Sequence, residues 1–192
     1  MKRHAKFLAL ALAALTLGGC NLVATSNEPV LINRSSVPFG LLNKTIPDTN
    51  NARVVFITQP VYIVDATGHL APSSRIVPSP PHLASVLREL VIGPTSIETF
   101  TGYTSALPSD MVILQATVHN KIGYIDLTNS LGSLPRHQEI LAIGQLVFTS
   151  YDVGATRGIK LLVAGVPTPL QMPNGATTLV ATVKDYQSLM NS

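Results

Sequence analysis

The chain has 192 residues, of which 46% are hydrophobic and only 12% charged, with a formal net charge of +3. That excess is confined to the start: residues 1–20 carry Lys2, Arg3 and Lys6 and no acid, which leaves ten basic against ten acidic residues in the rest. A balanced body of about 170 residues shows neither the electrostatic footprint of a nucleic-acid binder nor a basic face for anionic lipid, and it is the size of one domain with a sizeable core.

The first element reads as an export signal. Lys2, Arg3 and Lys6 precede an apolar run from Phe7 to Leu17, shorter than the roughly 20 residues that span a bilayer. Leu17, Gly18 and Gly19 then lead into Cys20, the single cysteine of the chain. Small residues ahead of a thiol read as a lipobox, because the sulfur at the cleavage point can accept a diacylglyceryl group. Each buried methylene contributes about 0.8 kcal/mol, so two acyl chains anchor stably where one holds marginally. The expectation is a signal peptide over residues 1–19, lipid attachment at Cys20, and anchoring to the cell membrane on its extracytoplasmic face. No disulfide is expected.

Residues 20–51 are rich in Asn, Ser, Thr and Pro, a composition that buries too little apolar area to offset its ordering entropy and so reads as a tether. Within it, Val37-Pro38-Phe39-Gly40-Leu41-Leu42 is more apolar than a pure linker and is expected to dock against the domain, which should occupy residues 52–192.

From Arg53 to Asp65 the β-branched and aromatic residues predict a strand, with Pro60 placing it at an edge or on a bulge. Asp65-Ala66-Thr67-Gly68 predicts a turn into a second short strand through Arg75-Ile76-Val77. Pro80 and Pro81 open a helix whose apolar residues Leu83, Val86, Leu87, Leu90 and Val91 fall on one stripe, and Gly93-Pro94 ends it. Two strands follow, Met111 to His119 and Ile122 to Leu127, joined by Asn120-Lys121. A two-residue loop there sets Val118 opposite Gly123, Ala116 opposite Ile125 and Leu114 opposite Leu127. Gln115, Thr117 and His119 then share the other face with Asp126, Tyr124 and Ile122. A second helix is predicted from Pro135 to about Tyr151, with Ile140, Ile143, Gly144, Val147 and Tyr151 on its stripe. A strand from Gly158 to Ala164, turns at the later prolines with a short returning strand, and a helical turn or two from Val183 to Met190 complete the chain. The order implies an α+β fold: a mixed β-sheet with two main helices packed on one face and a short C-terminal helix.

Motifs for catalysis are absent: the sequence contains no HExxH, CxxC, GxSxG, Walker loop or GxGxxG. His69, His82, His119 and His137 fall at turns and element ends, and their spacing promises no metal site. The chain therefore reads as a non-enzyme without cofactor or metal.

Taken in order, residues Val77 to Thr95, with the helix that closes on Leu90-Val91-Ile92-Gly93-Pro94, resemble the first helix of the GerM (sporulation and spore germination) domain. Ser105-Ala106-Leu107-Pro108, Ile125-Asp126-Leu127 and Gln145-Leu146-Val147-Phe148-Thr149 are similar to later signposts of that family. Val37 to Leu42 resembles the segment that precedes the domain in actinobacterial GerM lipoproteins, and the likeness runs from about Arg53 to Ala164. The resemblance implies an extracytoplasmic domain related to the ring-building modules of sporulation channels, without known catalytic residues. What carries over is interaction with an unidentified envelope protein. The alternative is a carrier for an apolar ligand, with the helices parted from the sheet around a pocket. For an interaction module, Gln115, Thr117, Ile122 and Tyr124 are the candidate contact residues, since aromatic side chains dominate interface energetics. Two alternatives for Tyr124 are a plain cross-strand partnership with Thr117 and cover by the segment around Phe39 and Leu41.

Overall fold

The computed structural model describes residues 54–190. Strands β1 (Phe56–Val64) and β2 (Leu70–Pro78) form an antiparallel ribbon with Phe56 opposite Pro78 and Val64 opposite Leu70. The turn between them is held by Asp65, whose Oδ1 accepts from the backbone N–H groups of Thr67 at 2.8 Å and His69 at 3.0 Å. Pro60 sits opposite Ser74, and a two-stranded ribbon is all edge, so its missing donor is tolerated. The first strand starts three residues later than Arg53, and its partner, Leu70–Pro78, includes the expected Arg75-Ile76-Val77.

Helix α1 (Leu83–Ile92) buries Leu83, Val86, Leu87 and Leu90 as its stripe requires, and Gly93 turns the chain at φ 85°, its N–H returning to the Leu90 carbonyl. A short helix unforeseen in the sequence, α2 (Ser96–Phe100), follows directly. Thr95 and Glu98 form a reciprocal capping box that satisfies its first donors.

Strands β3 (Ile113–His119) and β4 (Ile122–Leu127) make the expected hairpin. Asn120 and Lys121 both take positive φ, 51° and 64°, as a two-residue type I′ turn demands. Val118 faces Gly123 and Ala116 faces Ile125, but Leu127 is opposite Ile113 rather than Leu114. A bulge between Ile113 and Gln115 inserts Leu114 as the extra residue and leaves it 55% exposed.

Helix α3 (Arg136–Tyr151) leads to β5 (Ile159–Val163), which runs parallel to β4, and to β6 (Val166–Thr168), which returns antiparallel to β5. The sheet order is β3-β4-β5-β6. A tiny pair, β7 (Leu170–Gln171) and β8 (Thr177–Thr178), brackets Pro173-Asn174-Gly175, and α4 (Val183–Tyr186) with a 3-10 turn over Gln187–Leu189 closes the fold. The mixed α+β class holds, with the strands distributed over three sheets.

The core lies between the four-stranded sheet and the helices. Ala116, Ile125, Leu127, Ile159 and Leu161 are buried on the helix side of the sheet. Helix α3 departs from the one-stripe expectation: every residue from Ile140 to Ser150 is buried, while Tyr151 is 44% exposed. The cause is enclosure, since α3 meets β1, α1, α4, β5 and β7. Gly144 lets neighbours in: a Cβ there would lie 2.8 Å from Leu189 Cδ1 and 2.9 Å from Leu70 Cδ1.

Two of the buried polar side chains of α3, Gln145 and Thr149, are satisfied at the edge of β1, whereas the Ser150 hydroxyl is buried without a hydrogen-bond partner among the described residues. Tyr62 N–H donates to Thr149 Oγ1 at 3.0 Å, Gln145 Nε2 donates to the Tyr62 carbonyl at 2.9 Å, and Gln145 Oε1 accepts from Ala106 N–H at 2.8 Å. These side chains take the place of a third strand beside the ribbon.

Candidate interaction surface

The face of the four-stranded sheet turned away from the helices is built by the residues that alternate with the core. Register places Gln115, Asp126, Leu162 and Pro167 in one row across it, Thr117, Tyr124 and Lys160 in the next, and His119 with Ile122 in a third. Gln115, Thr117 and His119 are exposed, and Ile122, Tyr124 and Lys160 half-buried. The four contact candidates, Gln115, Thr117, Ile122 and Tyr124, therefore share one face. Lys160 Nζ stands 5.6 Å from the centroid of the Tyr124 ring, a cation–π arrangement between neighbouring strands. Asp126 serves the local backbone, since its Oδ1 accepts from Gly165 N–H at 3.0 Å and holds the β5–β6 turn. Cys20 and the lipobox residues Leu17, Gly18 and Gly19 lie outside the described residues, as does the segment from Val37 to Leu42.

Beside this face, a groove of about 240 Å³ runs between α1 and the outermost strand, lined by Ala84, Arg88 and Val91 on one side and by Met111 to Ala116 on the other. It opens at the surface. Beneath the helices, Leu87, Leu90, Ile125, Leu127, Ile143 and Ile159 are fully buried in one cluster.

The groups with displaced titrations belong to the scaffold. Burial pulls the Glu98 carboxyl upward, but the Arg75 guanidinium, Ser73 and the capping Thr95 outweigh it and hold the group at about 2 instead of 4.5. Arg75 meets Glu98 through both guanidinium nitrogens, at 3.0 and 2.9 Å, and also donates to the Gly93 carbonyl at 3.1 Å; Ser73 donates to Glu98 as well. This knot ties β2 to the end of α1 and to α2. Burial, then the charge of Asp152, pushes the Tyr62 phenol up to about 12. Burial also raises Tyr186, whose hydroxyl donates to the Gln171 carbonyl at 2.7 Å. Among the described residues, no group of three or more His, Cys, Asp or Glu is placed to hold a metal ion, and no helix is long and apolar enough to cross a membrane.

Arg75, Glu98, Gln145 and Thr149 escaped the sequence reading. Thr95-Ser96-Ile97-Glu98 does carry a capping-box signature that could have announced α2. Nothing comparable marks Gln145, whose partners are 39 and 83 residues away.

A four-stranded mixed sheet with helices on one face defines an α+β domain of a kind already solved. The tandem GerMN domains of the sporulation protein GerM from Bacillus subtilis match with a TM-score of 0.52 at 17% identity, over 68% of this chain and 48% of that one. The first GerMN domain of the same protein matches with a TM-score of 0.51 at 17% identity, over 67% of this chain and 99% of that one. The chain thus spans about half the length of the tandem structure, and at this identity the likeness is one of fold. The sequence profile of the Germane family, described as sporulation and spore germination, matches residues 60–169, and the chain belongs to that family. No curated protein matches it significantly.

Proposed function

We propose that the protein is a lipoprotein anchored through Cys20 on the extracytoplasmic face of the cell membrane, and that its domain is a non-catalytic protein-interaction module of the envelope in a process related to sporulation or germination. The observation that carries the reading is the outer face of the four-stranded sheet, where the half-buried Tyr124 and Ile122 stand among Gln115, Thr117 and Lys160. A half-buried aromatic ring beside an aliphatic side chain, rimmed by polar residues, has the make-up of an interface centre. The anchor is supported by the order of basic start, apolar run and Leu17-Gly18-Gly19-Cys20. A carrier would need the helices to part from the sheet, and the fully buried layer of Leu87, Leu90, Ile125, Leu127 and Ile143 favours the interaction module instead.

Tyr124→Glu tests the reading. The variant is expected to melt within a few degrees of the wild type while losing crosslinks to its envelope partner. Unfolding of the variant would assign Tyr124 to the core, and unchanged crosslinking would remove the sheet face from the account.

A further inference from the structure

Among the described residues, strand β3 is the outermost of its sheet, and no strand pairs with the side it turns away from β4. The direction of its backbone groups follows from the register. Gly123 N–H donates to the Gly158 carbonyl at 2.9 Å, toward β5, so Gly123 turns its backbone away from β3. Its antiparallel partner Val118, and Ala116 opposite Ile125, are then the non-hydrogen-bonded pairs of the hairpin, and their N–H and C=O groups point away from β4, reachable at the 37% exposed Val118 and recessed in the groove at the 6% exposed Ala116. Exposed edges are commonly blunted by charges, proline or a bulge, and β3 carries one of these, the bulge at Leu114 near its start. The run Ile113-Leu114-Gln115-Ala116-Thr117-Val118-His119 contains no Lys, Arg, Asp, Glu or Pro, and Leu114 and Val118 are 55% and 37% exposed along it.

The groove between α1 and this strand adjoins the free edge, with Ala84, Arg88 and Val91 of α1 as its wall. Arg88 is the single charged residue in that lining, and among the described residues it makes no ion pair. We propose that the free edge of β3 takes up an extended segment of a partner protein as a fifth strand, its alternate apolar side chains entering the groove and a carboxylate meeting Arg88. Main-chain bonds supply affinity in such strand addition, and side-chain pockets supply specificity. A second copy of this chain fits poorly: its β3, paired with this one, would bring no carboxylate to Arg88, since Ile113 to His119 contains no Asp or Glu. The proposal rests on the domain being an interaction module, but it uses the strand edge and not the Tyr124 face.

The test uses the full-length protein in detergent and two fluorescent ten-residue peptides of alternating valine and threonine, one with a central glutamate and one with lysine in its place, read by anisotropy. The glutamate peptide should bind about tenfold more tightly, which corresponds to roughly 1.4 kcal/mol. Arg88→Glu should reverse the order of the two peptides. Val118→Pro, which deletes an outward N–H, should weaken both by about tenfold. Failure of the glutamate peptide to bind, equal binding of the two, or an order unchanged by Arg88→Glu would overturn the proposal. Loss of peptide binding alongside intact crosslinking from Tyr124 would leave the interaction module standing and remove strand addition alone; the converse would remove the Tyr124 face.

Discussion

Gln145 shows how much of this fold depends on single polar side chains. It is fully buried, and its amide serves the Ala106 N–H and the Tyr62 carbonyl at once. Gln145→Leu preserves bulk but strands both backbone groups, and each unsatisfied group costs about 1–3 kcal/mol. The variant should therefore lose roughly 2–6 kcal/mol in urea denaturation, far more than a surface change such as Gln115→Ala. Glu98 gives a second residue-scale prediction. Its folded titration lies at about 2 against an ordinary 4.5. A depressed acid stabilises the fold above its unfolded value, and that contribution fades as pH falls through the folded one, so the loss belongs between about 4.5 and 2. Melting temperatures followed over that window should fall more steeply in the wild type than in Glu98→Gln, which is less stable at neutral pH and nearly insensitive to the acid change. Gln145 was not legible in the sequence, because its partners come from other elements; Glu98 was legible only in part, since its capping pair with Thr95 is local while Arg75 and Ser73 come from another element.

At the scale of elements, the sequence was legible where the physics is local. The stripe and stop signals of α1, the two-residue turn at Asn120-Lys121 and most of the β3–β4 register depend on neighbours a few positions apart, and the structure reproduces them. The bulge at Leu114 and the all-round burial of α3 depend on distant packing, and both were missed. The bulge explains why a large aliphatic residue sits exposed in a strand, and Leu114→Ser should leave the melting temperature nearly unchanged. Gly144 represents the opposite case. A methyl group there would press on Leu70 and Leu189, both packed into the core, and overpacking of this kind typically costs about 1–3 kcal/mol. Gly144→Ala should show that loss by calorimetry, and Leu189→Ala combined with it should recover part of the stability lost.

For the whole molecule, the proposed layout joins an anchor, a linking segment and a domain whose four-stranded sheet, among the described residues, presents an outer face centred on Tyr124 and an unpaired edge along β3. The fold class and the family were legible early, because an ordered series of short segments survives where single motifs do not. The role of the sheet face was only partly legible: register puts Gln115, Thr117, Ile122 and Tyr124 together, but a partner is never written in the sequence of one chain. Cys20→Ala should move the protein from the membrane fraction to the soluble extracytoplasmic fraction, as followed by fractionation and immunoblotting. The most direct test of the central claim is photocrosslinking in living cells from position 124 of the full-length protein, compared with the exposed position Ala176. The account predicts a discrete protein adduct from position 124, absent from position 176 and reduced by Cys20→Ala; equal labelling at the two positions, or adducts with lipid alone, would contradict it.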